Sequence, residues 1–372
     1  MILLDHGPGG LALFEAPREV VAAWEPAEVV PALARLDAAR AQGRWVAGAI
    51  AFEAAAAFEP RLASLKRGLG PLLAFGVYDA PTDPPAWDPP APARLTPPAP
   101  AITREAYDEA IARVLAFIAA GDCYQVNLTF PLRARLTGRP LDLWRRLRAA
   151  GPVAHGAYVD LGAGPTLASL SPELFFRVEP PRDGTSRIVT RPMKGTAPRD
   201  PDPGRDAGLA VALQESPKAR AENLMIVDLL RNDIGRLART GSVRVPDLYR
   251  IEPYATVHQM TSTVTGELAE PATLSRLIPA LFPCGSVTGA PKIRAVEIID
   301  ALEPAPRGAY CGAVGWMGPD GACAFSVAIR TLSIEGGEVT VGVGGGIVAD
   351  STADGEWEEA LWKARFLGPA VG

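Results

Sequence analysis

The chain has 372 residues, 48% of them hydrophobic and 21% charged, and a formal net charge of −5. That length supports two domains or one large core, and a mildly acidic chain without a long basic run excludes a nucleic-acid partner. Cys123, Cys284, Cys311 and Cys323 form no CxxC pair, the histidines do not cluster with them, and no apolar run reaches membrane-spanning length. A zinc site and a disulfide framework are therefore not expected, and the start of the chain lacks the pattern of a signal peptide. The expected protein is reduced, cytoplasmic and free of membrane.

Residues 29–40 read as a helix stopped by Gly43, residues 45–52 as a short strand buried on both faces, and residues 72–78 as another strand. Prolines dominate residues 81–100, an extended connector. It separates a small N-terminal α/β segment, 1–80, expected to pack on the rest, from a main domain at 101–372. Thr103 can cap a helix running to Gly121, with Tyr107, Ile111, Val114, Leu115 and Ile118 on one face. Residues 122–130 alternate: Tyr124, Val126, Leu128 and Phe130 face one way, Gln125, Asn127 and Thr129 the other, as in a strand with one covered face. Residues 153–161 and 174–178 repeat that theme. Residues 188–190 end a further strand, after which Pro192, Gly195 and Pro198 break regular structure and place Lys194 on a turn.

Residues 218–234 read as a helix ended by Gly235, with Glu222 heading a stripe of Met225, Ile226 and Leu229. Residues 258–264 are expected to form a strand and 274–281 a short helix. The loop 282–292 then leads into a helix over 293–301. Strands at 312–317, 325–332 and 339–343 follow, the last running into Gly344-Gly345-Gly346, and a helix over 355–366 closes the chain. Runs of antiparallel-looking strands with helices between them indicate an α+β class, not alternating βαβ units.

Lys194 can act as a nucleophile only if its amine is neutral part of the time, which burial or neighbouring cations permit; otherwise it is a solvated loop lysine. Glu356, Glu359 and Lys363 share one face of the last helix, either as a solvated face or turned inward. Inward carboxylates, with Glu222 as another, need a positive charge between them, and a hydrated Mg²⁺ shared with substrate oxygens fits that need. The run Gly344 to Gly346 is no dinucleotide fingerprint; its backbone N–H groups can approach an anion, or it is a plain turn. Gly285-Ser-Val-Thr-Gly-Ala-Pro-Lys292 fails the P-loop pattern. Arg330, read on a strand face with Ser326 and Ala328, has room for a bidentate carboxylate or lies at a wet edge. Glu173 is a general acid or a turn acid, and His258 heads a strand. No GxSxG elbow is present, which disfavours a serine hydrolase.

Together these stretches resemble the chorismate-utilising enzymes over about residues 100–367. The matching blocks are Gly121-Asp-Cys-Tyr-Gln-Val-Asn-Leu128, Ser171-Pro-Glu-Leu-Phe175, Arg191-Pro-Met-Lys-Gly-Thr196, Ala221-Glu-Asn-Leu-Met-Ile-Val-Asp-Leu-Leu-Arg-Asn-Asp233, Gly285 to Lys292, Phe325-Ser-Val-Ala-Ile-Arg330 and Gly344 to Asp350. The resemblance implies two packed antiparallel sheets with outer helices and a site between them. Within the family, anthranilate synthases usually carry Ala at the position of Lys194, and the branch making 4-amino-4-deoxychorismate, aminodeoxychorismate synthase component I, carries Lys. The implied activity is amination of chorismate, on the way to 4-aminobenzoate and folate. Ammonia would come from a separate glutamine amidotransferase, since nothing in the chain looks like that domain.

The resemblance also distributes roles. Glu222 and Glu359 would hold Mg²⁺, with Glu356 close by. Arg330, Tyr310 and the backbone at Gly344, Gly345 and Gly346 would take the enolpyruvyl carboxylate. Glu173 would protonate the departing hydroxyl, Lys194 would attack the ring, and His258 and Thr288 would line the pocket. Anthranilate or isochorismate synthesis are the alternatives within the family. An inactive binding subunit is another, but it would lack the lysine or the acids, and all are present.

Overall fold

The computed structural model describes residues 1–68, 70–254 and 257–372. Its strands form two ten-stranded sheets whose ladders are antiparallel. The first centres on the long strand Gln125–Thr137, paired on one side with Glu338–Ile347, and continues through Thr331–Glu335, Thr166–Ser171 and His155–Val159 to Ile2–Gly7 and Gly10–Phe14. The second runs from Met193–Pro198 through Val257–Glu267, Arg187–Arg191, Leu174–Val178, Cys323–Val327 and Ala313–Met317 to Trp45–Ile50, Leu73–Tyr78 and Glu19–Ala23.

The inner faces meet over Ile2, Leu4 and Phe14 from the first sheet and Ala47, Tyr78, Val314 and Trp316 from the second, with the Phe14 and Tyr78 rings 5.3 Å apart. Helices cover the outer faces. Trp144 of helix Pro140–Ala150 is fully buried beside Tyr158, and its indole N–H donates to the Ser169 carbonyl at 3.1 Å. Tyr107 of helix Arg104–Ala119 and Trp357 of helix Ala353–Lys363 close on Phe130, whose ring lies 4.9 Å from the Trp357 ring. The α+β layers are those expected. The stretch before the prolines contributes to both layers: Ile2–Gly7 pairs with His155–Val159, and Trp45–Ile50 pairs with Ala313–Met317.

Local chemistry sets the helix starts. Thr103 accepts from the Ala106 N–H, Ser216 from the Ala219 N–H and Thr352 from the Gly355 N–H, each cap contributing about 1 kcal/mol. Helix Pro217–Gly235 turns a different stripe inward from the one expected. Asn223, Ile226, Val227 and Leu230 are buried, and Glu222, Met225 and Leu229 sit half-buried at its edge. The strand at 122–130 also differs. Tyr124 precedes it and is 70% exposed, whereas Gln125, Asn127 and Thr129 are as buried as the apolar set. Both faces are covered because the polar one meets a buried ionic network. Glu303 accepts from the Thr129 N–H and hydroxyl, and Arg307 donates to Glu303, to the Asn127 carbonyl and to the Val287 carbonyl. Glu53, from the N-terminal stretch, accepts from the Arg307 N–H at 2.7 Å. Arg307→Met would leave Glu303 buried without its cation and is expected to destabilise the fold by about 3–5 kcal/mol, read as a lower urea midpoint.

Candidate active site

Two of the places where the chain changes sheets are neighbours. Between Thr166–Ser171 and Leu174–Val178 it crosses at Pro172 and Glu173; between Cys323–Val327 and Thr331–Glu335 it crosses at Ala328, Ile329 and Arg330. The crossings are tied together. The Val327 N–H donates to the Glu173 carbonyl at 3.1 Å, the Ser171 hydroxyl to the Val327 carbonyl at 2.6 Å, and the Leu170 N–H to the Arg330 carbonyl at 3.0 Å. Of the crossing residues, Pro172, Glu173, Ile329 and Arg330 border the gap between the sheets, whereas Ala328 packs in the core.

That gap is a cavity of about 720 Å³. Its lining includes Glu173, Lys194, Glu222, Tyr310, Arg330, Gly344, Gly346, Glu356, Glu359 and Lys363. Arg330 does not share a continuous strand with Ser326, as expected from alternation. It is the last residue of the crossing and has φ of +49°, a strained conformation for a non-glycine residue that concentrates at functional sites. Burial lowers its pKa, and no ion pair or hydrogen bond engages its guanidinium among the described residues.

Lys194 lies on a strand, not a turn. Met193–Pro198 and Arg187–Arg191 both pair with Val257–Glu267. Pro192 lies in the bend between them, where its missing N–H costs no ladder bond and its carbonyl still accepts from the Ser262 N–H. Lys194 is half-buried, its open surface facing the cavity. Burial, then the like charge of Lys363, lowers the pKa of its amine, while Glu222, Glu173 and Glu359 pull the other way. Glu173 is 5% exposed, and burial raises its carboxyl to about 7 against the opposing effects of Ser286 and Lys194.

The glycine run is likewise strand. Gly344, Gly345 and Gly346 pair with Thr129, Leu128 and Asn127. Beyond Val341 that strand has lost its other neighbour, Thr331–Glu335, and its free edge borders the cavity. The lack of side chains permits close approach. A Cβ at Gly345 would stand 2.8 Å from Glu356 Oε2, and one at Gly346 would stand 2.9 Å from Lys194 Nζ.

The last helix turns Glu356, Glu359 and Lys363 toward the cavity; Glu356 and Lys363 are half-buried, and Glu359 keeps 55% of its side chain exposed. Lys363 Nζ reaches Glu359 at 2.7 Å and the Gly344 carbonyl at 2.8 Å, and the Ser351 hydroxyl donates to Glu356 at 2.6 Å. Burial raises the Glu356 carboxyl. At Glu359 burial pushes upward too, but Lys363, with Lys194 and Lys218, holds the group below its ordinary value. Among the described residues no group of three or more His, Cys, Asp and Glu side chains converges as a metal cage. Glu222, Glu356 and Glu359 do share the cavity, and an all-oxygen set fits Mg²⁺, which takes one or two carboxylates and completes its shell with water and substrate.

Two expected pocket residues lie elsewhere. His258 is buried against Asp206, Nε2 to Oδ1 at 2.8 Å, in an ionic cluster with Arg199 that pins helix Pro203–Glu215 to the sheet. Thr288 is fully buried and donates to the Cys284 and Gly285 carbonyls inside its own turn. Two other polar residues that sequence reasoning did not single out lie close to Glu173 and Lys194. Ser286 donates to Glu173 Oε1 at 2.6 Å. Gln125 is fully buried with both amide atoms unpartnered, near Lys194 across Gly346. The signal for Gln125 was its place on the polar face of an otherwise apolar strand.

Residues 79–369 match the family of chorismate binding enzymes. This chain belongs to that family. It is 47% identical to aminodeoxychorismate synthase component 1 of Escherichia coli over 266 residues, 72% of this chain and 57% of that one. It is 43% identical to anthranilate synthase component 1 of Streptomyces coelicolor over 270 residues, 73% of this chain and 52% of that one. The matched part thus spans little more than half the length of these relatives. The structure of anthranilate synthase component I from Streptococcus pneumoniae superposes with a TM-score of 0.82 at 25% identity, covering 96% of this chain and 91% of that one. The menaquinone-specific isochorismate synthase of Escherichia coli shares the fold, with a TM-score of 0.77 at 19% identity over 100% of this chain and 88% of that one. No helix among the described residues is long and apolar enough to cross a membrane.

Proposed function

We propose that this chorismate binding enzyme aminates chorismate to 4-amino-4-deoxychorismate in the cytoplasm, using ammonia supplied by a glutamine amidotransferase partner, for 4-aminobenzoate and folate synthesis. One observation carries the reading: a half-buried lysine with a lowered pKa shares a cavity with a buried carboxyl raised to about 7. The productive pairing is free amine with carboxylic acid. Lys194 Nζ attacks ring carbon 2, the two conjugated ring double bonds both shift, and the carbon 4–oxygen bond breaks. Glu173 gives its proton to the departing oxygen, which leaves as water. Ammonia then adds at carbon 4 and expels the Lys194 amine, and Glu173 recovers a proton from the new ammonium. The sum is chorismate plus ammonia giving the amine and water.

Arg330 and Tyr310, beside the free edge at Gly344 to Gly346, form the anion-binding side for the enolpyruvyl carboxylate. Glu222 and Glu359, with Glu356 close by, would hold Mg²⁺, which when bound offsets the charge of the ring carboxylate. Glu359→Gln is expected to raise the Mg²⁺ concentration needed for half-maximal activity about tenfold or more, with a matching loss of Mg²⁺ affinity by calorimetry. A wild-type titration would remove Glu359 from the metal site.

The identity to anthranilate synthase component 1 supports a second reading, amination at carbon 2. The test is to incubate the protein with Mg²⁺ and chorismate, withholding ammonium, and to map any adduct by mass spectrometry. The expected result is chorismate less water on Lys194, discharged when ammonium is added. No adduct, together with anthranilate fluorescence on adding ammonium, would overturn the proposal.

A further inference from the structure

The carboxyl that delivers the proton is held by a second loop, distant in sequence. Ser286 lies on a short 3-10 turn, Gly285–Val287, and its hydroxyl meets Glu173 Oε1 at 2.6 Å across 113 positions of sequence. Behind it, Cys284 Sγ lies 3.3 Å from the same Oγ. All three side chains are buried: Glu173 and Ser286 are 5% exposed and Cys284 2%. The turn is braced by the Thr288 hydroxyl, and the backbone of Glu173 is fixed by the Ser171 hydroxyl and the Val327 N–H. Among the described residues Oε2 takes no hydrogen bond, and Glu173 lines the cavity.

A carboxyl oxygen that accepts a hydroxyl proton is disfavoured as the site of its own acid proton. We propose that Ser286, backed by the Cys284 thiol as donor, is a positioning residue that keeps the acid proton of Glu173 on Oε2, toward the cavity. The proposal rests on the amination reading above. When the carbon 4–oxygen bond breaks, the Oε2–H bond breaks with it and the proton departs in the water molecule. The negative charge left on the carboxylate is then shared with Oε1, where the Ser286 bond becomes charge-assisted and stronger. Ser286 therefore stabilises the transition state more than the ground state, and its loss should lower kcat without weakening substrate binding.

The experiment compares wild type, Ser286→Ala, Ser286→Thr, Ser286→Val, Glu173→Gln and the Ser286→Ala/Glu173→Gln double variant, with chorismate, Mg²⁺ and ammonium. Ser286→Ala and Ser286→Val are expected to lose on the order of 10- to 100-fold in kcat, with KM for chorismate within about twofold of wild type. Ser286→Thr, which keeps the hydroxyl, should recover most of the rate. In the Glu173→Gln background Ser286→Ala should cost nothing further, because the group it acts through is gone. Losses that multiply in the double variant would overturn the proposal. So would equal rates for Thr and Val, a near-isosteric pair that remains informative if the Ala variant folds poorly. Wild type that turns over no chorismate would instead overturn the amination reading, and the positioning role with it.

Discussion

Lys194→Ala is expected to lose at least about a thousandfold in turnover of chorismate with ammonium, the scale of removing a covalent nucleophile. The substitution deletes the amine whose proximity to the ring makes the first displacement intramolecular. It leaves Glu173, Arg330 and the glycine strand in place, so chorismate should still bind. The check is paired: initial rates for 4-amino-4-deoxychorismate, and equilibrium binding of chorismate by calorimetry. Wild-type turnover by the variant would remove Lys194 from the chemistry. Loss of binding together with loss of rate would make it a substrate ligand instead.

Glu173→Gln is the second large effect. Hydroxide leaves poorly unprotonated, and an amide cannot supply the proton, so kcat should fall about 10²- to 10⁴-fold. The pH dependence follows from the sign of each shift. Glu173 works as the acid, so activity is lost as pH rises through about 7. Lys194 works as the free amine, so activity is lost as pH falls through its lowered value. The wild-type profile of kcat/KM, which reports the free enzyme, should therefore be a bell whose two limbs belong to the pair. In Glu173→Gln the alkaline limb should vanish, and an unchanged limb would assign it to another group.

Much of this was legible in the chain. The cap at Thr103, the apolar stripe from Tyr107 and the alternation after Asp122 are local signals, and the elements formed near where they place them. The departures have a common cause. Arg330 sits in what alternation reads as one strand, but the chain leaves one sheet and joins the other there, an event decided by partners at distant positions. Pro192 reads as a strand breaker, yet two strands on either side of it share one partner. The Gly344 to Gly346 run offers no side-chain pattern, and its strand character comes from the facing residues Asn127 to Thr129. Ser286 and Gln125 escaped notice because a serine in a loop and a glutamine in a strand acquire meaning only from what folds against them.

The pairing of the first strands has a consequence for how such a chain can be cut or recombined. Ile2–Gly7 closes one layer against His155–Val159 while Trp45–Ile50 closes the other against Ala313–Met317, and Glu53 reaches on to Arg307, which holds the carbonyls of Asn127 and Val287 at the cavity wall. The stretch that family resemblance marks out, beginning at residue 79, is therefore not a self-sufficient module. Severed from what precedes it, it would carry two raw backbone edges, each a template for pairing with other chains. A chimera that exchanges this leading portion must match hydrogen-bond register at both seams at once.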